Sequence, residues 1–499
     1  MKKVVVCFGI IFLQISATLV LASDWPQMYH DPAHTSFTTD AGPETGTLGW
    51  SYPIGTALGN SWEYIHMSSP AVVNGKVYVG STNRRVYCFD HNGGAPIWTK
   101  QLEDTIFSSP AVVNGKVYVG TWGGDMYCLD ANTGDSIWFY HSGGKIEAGP
   151  TVSDDRVFFG AMYQNYMWCL NANTGAFIWE ITPSNPNLMY GHGVVPAVKD
   201  SLVIVGASIF AGDQPTTFYA YKEFSSTPDL QWEYTAASHT THQSVSIGDG
   251  KVYGSVDDGW LYCMNESPAS SSGELIWSER SAPGYSGDPS CVSIEGDKIY
   301  YGHEIGKTYC RNATSGALSW TSASLGGHCG VGAASLSGNG KIYVGTGYVN
   351  GKDLYCLDKS TGNVLWSYAT GGYITSTPAI SNGMVFVTSQ DGYIYAFGTW
   401  VGEEEQANLD FRVRILELKI GQNPFKQSTI IKYKIPMTGK ASLTLYDISG
   451  SCVKTLVNEE KKAGSYSITL RVKELKAGMY FLILNANGTK TTQKLTLLK

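Results

Sequence analysis

Charge is scarce in this sequence of 499 residues. Only 15% of the residues are charged, 43% are hydrophobic, and the formal net charge at pH 7 is −7. Nucleic acids and anionic lipid surfaces attract basic proteins, so this balance argues against both kinds of partner. The content of 57 Gly, 14 Trp and 31 Tyr is instead typical of a β protein with many turns.

The sequence also lacks the short motifs of several enzyme classes. It contains no Gly-x-Ser-x-Gly, no His-Glu-x-x-His and no phosphate-binding loop. No two cysteines are adjacent, and no loop has the regular ligand spacing of a calcium site. An active site built from residues far apart in the sequence stays open, because such a site leaves no local motif.

Only one long hydrophobic run occurs, and it lies at the N-terminus. Two lysines precede Val4–Leu21, and Ala22 and Ser23 then fit the small-residue cleavage site of a signal peptide. We therefore predict a signal peptide over residues 1–22, with an uncleaved membrane anchor as the alternative. Cys7 lies too early for a lipoprotein cleavage site. No second hydrophobic span follows, so the mature chain is expected to contain no transmembrane span.

What the sequence does contain is a tandem repeat. SSPAVVNGKVYVG occurs at Ser68–Gly80 and again, letter for letter, at Ser108–Gly120. Each copy continues into a similar segment that ends at a tryptophan, which gives a unit of about 40 residues. Within the unit, short alternating runs are separated by turn pairs such as Asn74-Gly75, and no helical periodicity occurs. Four short antiparallel strands repeated in this way predict the blade of a β-propeller.

Counting the repeats predicts eight blades. The last unit stops near Gly398 without a fourth-strand tryptophan, and the strand around Trp50 is available upstream to complete it. That arrangement leaves no open sheet edge. The predicted fold class is all-β, with an eight-bladed propeller over residues 23–400 that is closed by an N-terminal strand. The first strands of the eight units begin near Pro70, Pro110, Pro150, Pro196, Ser244, Cys291, Ala333 and Pro378.

The segment Cys128–Trp138 resembles the tryptophan-docking motif of propellers of the pyrroloquinoline quinone (PQQ) type. That motif reads Ala-x-Asp-x-x-Thr-Gly-x-x-x-Trp, and Asp130, Thr133 and Gly134 match it. Similar segments recur in most units, and the resemblance implies that each tryptophan packs between neighbouring blades. The tryptophans with this implied role are Trp50, Trp98, Trp138, Trp179, Trp232, Trp277, Trp320 and Trp366.

The PQQ-type family contains two kinds of member. Some are PQQ- and calcium-dependent dehydrogenases, for which the resemblance would imply a vicinal cysteine pair and calcium ligands. Others are cofactor-free scaffolds such as BamB, a component of the outer-membrane β-barrel assembly machinery. The missing cysteine pair and the missing calcium loop favour the scaffold.

Most of the ten cysteines occupy one position of the repeat. Equivalent positions on different blades lie too far apart for a disulfide, so we expect small buried apolar side chains there. Cys291 and Cys329 fall outside this position, and the sequence does not decide whether these two form a disulfide. The six cysteines at the repeated position are Cys88, Cys128, Cys169, Cys263, Cys310 and Cys356.

Five ionisable residues each precede a first strand by a few positions. First strands line the channel of a propeller, so these residues should gather at one mouth and could bind a metal or an anionic ligand. Scattered polar loop residues are the alternative, and inserted loops between Leu188 and Ser286 are equally open to partner contacts or to no role. The five candidate residues are His66, Glu147, His192, His242 and His328.

The chain changes character after Trp400. Residues 401–408 form an acidic linker, and residues 409–499 alternate in the manner of a small β-sandwich. This part resembles the C-terminal sorting domains of type IX secretion cargo and FlgD-like Ig modules, with an adhesive Ig-like domain as the alternative. The matching residues are Asn423, Pro424, Phe425, Thr429, Ile431, Tyr433, Pro436, Tyr446, Asp447, Gly450, Gly464, Gly478 and Tyr480.

Taken together, these features predict an exported, non-catalytic propeller that acts as a binding or scaffolding module. Its partners would be a protein or glycan and, through the C-terminal domain, the secretion machinery, which would deliver it to the cell surface or medium. No cofactor is predicted. The alternatives are an oxidoreductase that depends on PQQ and Ca²⁺, and a carbohydrate-binding or adhesion protein.

Overall fold

The chain forms two compact units, Met1–Trp400 and Val401–Lys499. No helix occurs in the part of the chain that the structure describes. The structure is a computed structural model, and it describes residues 24–55, 67–161, 167–181, 195–207, 215–224, 226–236, 244–256, 259–285, 287, 289–329, 332–348, 351–398, 417–421, 423–435, 439–448, 451–461, 464–472, 475–486 and 489–498.

The described residues of the first unit form eight four-stranded antiparallel sheets. In seven sheets, four consecutive strands pair in chain order, and the eighth has the order β1-β32-β31-β30. The strands are β1 (Leu48–Pro53), β2 (Ala71–Val73), β3 (Lys76–Gly80), β4 (Arg85–Asp90), β5 (Trp98–Gln101), β6 (Ala111–Val113), β7 (Lys116–Gly120), β8 (Asp125–Asp130), β9 (Ser136–His141), β10 (Thr151–Ser153), β11 (Arg156–Phe159), β12 (Met167–Asn171), β13 (Phe177–Ile181), β14 (Ala197–Lys199), β15 (Leu202–Ala207), β16 (Thr217–Lys222), β17 (Leu230–Thr235), β18 (Ser246–Gly248), β19 (Lys251–Val256), β20 (Trp260–Asn265), β21 (Leu275–Arg280), β22 (Ser293–Glu295), β23 (Lys298–His303), β24 (Lys307–Asn312), β25 (Leu318–Thr321), β26 (Ser335–Leu336), β27 (Lys341–Gly345), β28 (Asp353–Asp358), β29 (Val364–Ala369), β30 (Ala379–Ser381), β31 (Met384–Ser389) and β32 (Tyr393–Phe397).

Turn chemistry and register explain how each sheet forms. Between β2 and β3, Asn74 and Gly75 have φ of 52° and 70°, which a two-residue hairpin turn of this type requires. Across the next strands, Tyr78 lies opposite Cys88, and Cys88 lies opposite Trp98. Cys88 is fully buried in this row, and burial raises the pKa of its thiol to about 12. The thiol therefore stays neutral and packs as a small apolar group.

The nine cysteines that the structure describes are all free. The six at the repeated position are buried, as the sequence predicts for apolar packing positions. Cys291 and Cys329, whose pairing the sequence leaves open, are also buried and free, and the Cys291 Sγ lies 3.2 Å from the Ser246 Oγ.

The N-terminal strand closes the array of sheets. Strand β1 pairs antiparallel with β32, so that Trp50 lies opposite Ala396 and Pro53 lies opposite Tyr393. The prediction that the strand of Trp50 completes the last sheet is therefore confirmed. Without this pairing, β32 would present an unpaired edge at the junction of the two ends of the unit.

The second unit consists, in its described residues, of two antiparallel sheets around one core. Their strand orders are β33-β34-β37 and β36-β35-β38-β39, and β34, β35 and β38 alternate buried and more exposed positions. Ile431 and Ile435 of one sheet pack in the same cluster as Leu443 and Leu482 of the other. The strands are β33 (Glu417–Ile420), β34 (Ser428–Ile435), β35 (Gly439–Asp447), β36 (Cys452–Lys461), β37 (Gly464–Arg471), β38 (Gly478–Ala486) and β39 (Thr489–Leu497).

Candidate functional site

The outer-strand tryptophans link each sheet to the next. The Trp98 Nε1–H donates to the Ala131 carbonyl of the following sheet at 3.1 Å, and its ring covers Gly134. A Cβ added to Gly134 would lie 2.7 Å from the Trp98 ring. The same donation joins Trp50 of the last sheet to His91 of the first at 3.0 Å, so the sheets form a closed ring. Further bonds of this kind run from Trp138 to Ala172, Trp232 to Glu266, Trp277 to Ala313 and Trp320 to Lys359.

Hydroxyl groups beside the first strands join the sheets a second time, near the axis. Thr377 N–H donates to the Ser69 Oγ, and Ser69 N–H donates to the Ser109 Oγ, both at 2.9 Å. The repeated Ser-Ser-Pro start of the unit thus serves the junctions between sheets. Hydroxyl donors also bond carbonyls of the next sheet from Thr151 to Pro196, Ser246 to Val292, Ser293 to Ala334 and Ser335 to Pro378.

The segment Asp24–Asp40, here called the central segment, crosses the first strands of the ring. Its carbonyls accept backbone N–H bonds from these strands, for example Val112 to Pro26 at 2.7 Å and Val198 to Pro32 at 2.6 Å. At the eighth sheet, the Asp40 Oδ2 accepts the N–H of Asn382 at 3.0 Å. The remaining first strands bond this segment through Val72 to Trp25, Val152 to Gln27, Ile247 to Ala33, Ile294 to Thr35 and Leu336 to Ser36.

The middle of the central segment fills the axis of the ring. Met28 and Tyr29 are 6% and 1% exposed. They pack in one cluster with residues that precede the first strands of four sheets, namely Ala148, Val195, Cys291 and Ala333. The chain therefore supplies its own floor to the channel, and Glu147, next to Ala148 of this cluster, lies beside that floor.

His34 of the central segment holds a structural position. Its Nδ1–H donates to the Val245 carbonyl at 2.8 Å, and its Nε2 lies 3.4 Å from the Thr151 Oγ1. Burial lowers the pKa of His34 to about 4, so the ring is neutral at neutral pH.

Aromatic side chains beside the inner strands of the seventh and eighth sheets contact one another at the predicted mouth. The His328 and Tyr348 rings meet edge to face with centroids 5.4 Å apart, and the Tyr348 and Tyr373 rings are 5.7 Å apart. Burial raises the pKa of Tyr348, and the nearby Glu147 carboxylate raises it further. Burial lowers the pKa of His328, so that its imidazole is uncharged at neutral pH.

Two of the five predicted mouth residues can be placed. The His328 ring contacts the Tyr348 ring, and the Glu147 carboxylate contributes to the raised pKa of Tyr348. His66, His192 and His242 lie outside the described residues, as do Ala22 and Ser23 at the predicted cleavage site. Sequence reasoning missed Tyr348 and Tyr373, because neither belongs to a motif and the sequence is rich in tyrosine. The available signal was the sequence Thr346-Gly347-Tyr348, which departs from the repeat at this position.

The described residues do not supply a calcium and PQQ site. They contain no group of three or more His, Cys, Asp or Glu that could hold a metal ion. The carboxylates that act on His328 and Tyr348 are those of Glu304 and Glu147, whereas Ca²⁺ takes six to eight oxygen ligands. Among the described residues, the donor set therefore does not fit a calcium ion.

A surface cavity of about 390 Å³ lies between the sheets that contain β22 and β26. Its charged groups are largely satisfied by each other, since the Lys359 Nζ pairs with Glu295 at 2.5 Å. The Asp358 Oδ1 accepts bonds from its own turn, from Ser360 and Thr361. The residues that line this cavity therefore bond one another across the junction between two sheets. For this reason we keep the channel mouth as the candidate site.

A closed ring of four-stranded antiparallel sheets around an axis is a β-propeller. Residues 39–267 and 324–410 match the family described as outer membrane protein assembly factor BamB. The match spans more than half of the chain, and the chain belongs to this family. Residues 422–497 match the secretion system C-terminal sorting domain, a type IX tail, which indicates export to the cell surface or medium. No helix in the described part of the chain is long and apolar enough to cross a membrane.

Solved structures with a similar fold include enzymes and a scaffold. Quinohemoprotein alcohol dehydrogenase from Comamonas testosteroni matches with a TM-score of 0.61 and 15% identity, over 75% of this chain and 80% of that chain. BamB from Moraxella catarrhalis matches with a TM-score of 0.54 and 16% identity, over 71% and 98%. A europium-containing methanol dehydrogenase matches with a TM-score of 0.57 and 15% identity, over 76% and 98%. At these identities the likeness shows the fold alone.

One curated relative is a tetrathionate hydrolase from Acidithiobacillus ferrooxidans. It is 24% identical over 159 residues, which are 32% of this chain and 27% of the relative. The chain thus spans about a quarter of the length of the curated relative that it matches.

Proposed function

We propose that the protein is an exported, non-catalytic binding module whose propeller presents the channel mouth to a partner. In this account, residues 1–22 are a signal peptide, residues 23–400 are an eight-bladed propeller and residues 401–408 are a linker. Residues 409–499 are an Ig-like sandwich that engages the secretion machinery. The eight described sheets and the two sheets of the second unit support these assignments.

The observation that carries the proposal is the central segment. It bonds the first strands around the ring, and it places Met28 and Tyr29 on the axis. A channel whose floor is built from the chain's own residues would leave one end of the channel for a partner. Binding sites gain affinity when such a surface is formed before the ligand arrives.

The competing function is a PQQ-dependent oxidoreductase, which the names of the similar dehydrogenases suggest. The described mouth residues argue against it, since they lack a calcium ligand set. A carbohydrate-binding or adhesion protein, with exposed aromatic side chains of the irregular blades stacking on sugars, is the other alternative.

A titration of the purified full chain with PQQ and Ca²⁺ separates the two functions. A ligand present at about one hundred times its Kd stabilises the folded state by about 2.7 kcal/mol, which raises the melting temperature measurably. We expect no shift with PQQ and Ca²⁺, and no reduction of an electron-accepting dye when alcohols are added. A shift together with dye reduction would refute the non-catalytic assignment. A quinoprotein dehydrogenase treated in the same way is the positive control.

A further inference from the structure

The outer strand of the second sheet has an aromatic residue at a position that is polar in every other sheet. Phe139 directly follows the tryptophan of β9, and its side chain is 64% exposed. At the same position the other seven sheets have serine, threonine or glutamate, so the fold itself does not require an aromatic ring there. These seven residues are Ser51, Thr99, Glu180, Glu233, Ser278, Thr321 and Ser367.

Phe139 belongs to a stacked pair of rings. It lies opposite Tyr127 of β8, and the two rings stack with centroids 5.8 Å apart and an interplanar angle of 28°. Tyr127 is only 9% exposed, so it supports the phenylalanine ring from within the sheet. The Phe139 ring therefore rests on Tyr127 and presents the rest of its surface to solvent.

A polar pair lies beside these rings on the same face of the sheet. Side chains alternate along a strand, so Ile137, Phe139 and His141 point to one side of β9. His141 lies opposite Asp125, and its Nδ1 is 2.7 Å from the Asp125 Oδ1. In the described part of the chain, the His141 Nε2 and the Asp125 Oδ2 have no hydrogen-bond partner. The His141 side chain is 63% exposed, so a ligand can reach this pair.

Size and charge indicate which ligand this face suits. An aromatic side chain has roughly 150–250 Å² of surface, whereas a stable protein interface needs about 800 Å² from each partner. Phe139 and Ile137, which is 46% exposed, together offer far less than that area, and the area of one small ring is a better match. The paired residues of β8 and β9 include no lysine or arginine that would balance the charge of an acidic ligand.

We propose that Phe139, His141 and Asp125 bind a neutral pyranose ring of a glycan. A sugar with equatorial hydroxyls carries C–H groups on its flat faces, and one such face would pack on the Phe139 ring. When the Nδ1–H of neutral His141 donates to Asp125, the Nε2 accepts a bond from a sugar hydroxyl, and the Asp125 Oδ2 accepts another. Strand β9 is the outer strand of its sheet, so this site is separate from the channel mouth. The proposal thus goes beyond the binding role proposed above.

Calorimetric titration of the full chain with cellohexaose tests the proposal. The β-linked glucose units of this probe have equatorial hydroxyls and C–H groups on both ring faces. Sorbitol, an open-chain polyol without a ring face, is the matched probe. We expect cellohexaose to bind with a Kd of about 1 mM or lower, and sorbitol to give no heat of binding at the same concentration. Absence of cellohexaose binding, or equal binding of the two probes, overturns the proposal.

Variants locate the sugar on the second sheet. Phe139→Ser introduces the residue that three other sheets have at this position, so the variant should fold, and it should weaken cellohexaose binding about tenfold or more. His141→Ala should weaken binding about threefold or more, since it removes one hydrogen bond. Phe177→Ser is the control, because Phe177 is an equally accessible ring on the next sheet, 50% exposed and stacked on Tyr140. It should leave binding unchanged.

The outcomes separate this site from the proposed function. Unchanged binding by folded Phe139→Ser or by folded His141→Ala would refute the site, as would equal weakening by Phe177→Ser. Melting curves verify that each variant is folded. Dye reduction with PQQ and Ca²⁺ would refute the non-catalytic assignment but leave the sugar site on the second sheet in place.

Discussion

At the scale of single residues, burial fixes the charge state of several histidines. His34, His91 and His303 each have a pKa lowered to about 4, mainly by desolvation. The protein therefore holds three imidazoles that must stay neutral for the folded state to keep its packing.

This burial predicts a loss of stability in mild acid. A histidine whose pKa falls on folding binds fewer protons when folded, so its contribution is complete above about pH 6.5 and is lost as the pH falls toward 4. Each such histidine contributes up to about 3 kcal/mol to the free energy of unfolding. Urea denaturation should give a lower free energy of unfolding near pH 5 than near pH 7. The substitution His34→Asn should reduce the difference between the two pH values.

Two glycines of one repeat differ in what surrounds them, and they make a matched pair. Gly134 and Gly115 have φ of 75° and 72°, so alanine is strained to the same degree at both. A Cβ on Gly134 would meet the Trp98 ring at 2.7 Å, whereas a Cβ on Gly115 would meet nothing within 4 Å. We expect Gly134→Ala to reduce the free energy of unfolding by about 1–3 kcal/mol more than Gly115→Ala does. Equal losses of the free energy of unfolding in denaturant titrations would show that the Trp98 ring moves aside without destabilising the protein.

At the scale of strands and sheets, the tryptophan junctions carry both packing and a hydrogen bond. Trp138 donates to Ala172, but the Trp366 Nε1 has no hydrogen-bond partner among the described residues. Trp138→Phe should therefore reduce the free energy of unfolding by about 1 kcal/mol more than Trp366→Phe. Chemical denaturation of the two variants measures the difference. A larger loss for Trp366→Phe would show that ring packing alone determines the junction.

Strands and turns are the part of this fold that the sequence predicts best. The Asn74-Gly75 turn, the buried row at Cys88 and the closing strand of Trp50 all follow from local patterns that repeat along the chain. Mouth contacts could not be predicted in the same way. Tyr348 and Glu147 are about 200 residues apart in sequence and belong to different sheets, so no local pattern relates them.

At the scale of the whole molecule, the first unit is a ring that is joined three times. Outer tryptophans link the sheets at the rim, hydroxyls link them near the axis, and the central segment bonds the first strands from within. Trp50 joins the last sheet to the first, and the central segment lies just before Trp50 in the chain. The N-terminal residues therefore complete the ring. The second unit adds the sorting tail that indicates export.

Hydrogen exchange of the full chain tests this account most directly. The amides of Val112, Val198, Ile247 and Ile294 donate to carbonyls of the central segment, and without that segment they would face a water-filled channel. We expect these four amides to exchange as slowly as the amides in the middle of the sheets, since their opening requires the ring to open. Exchange at the rate of exposed turn amides would show that the central segment does not seal the channel, and would contradict the closed platform on which the proposed function depends.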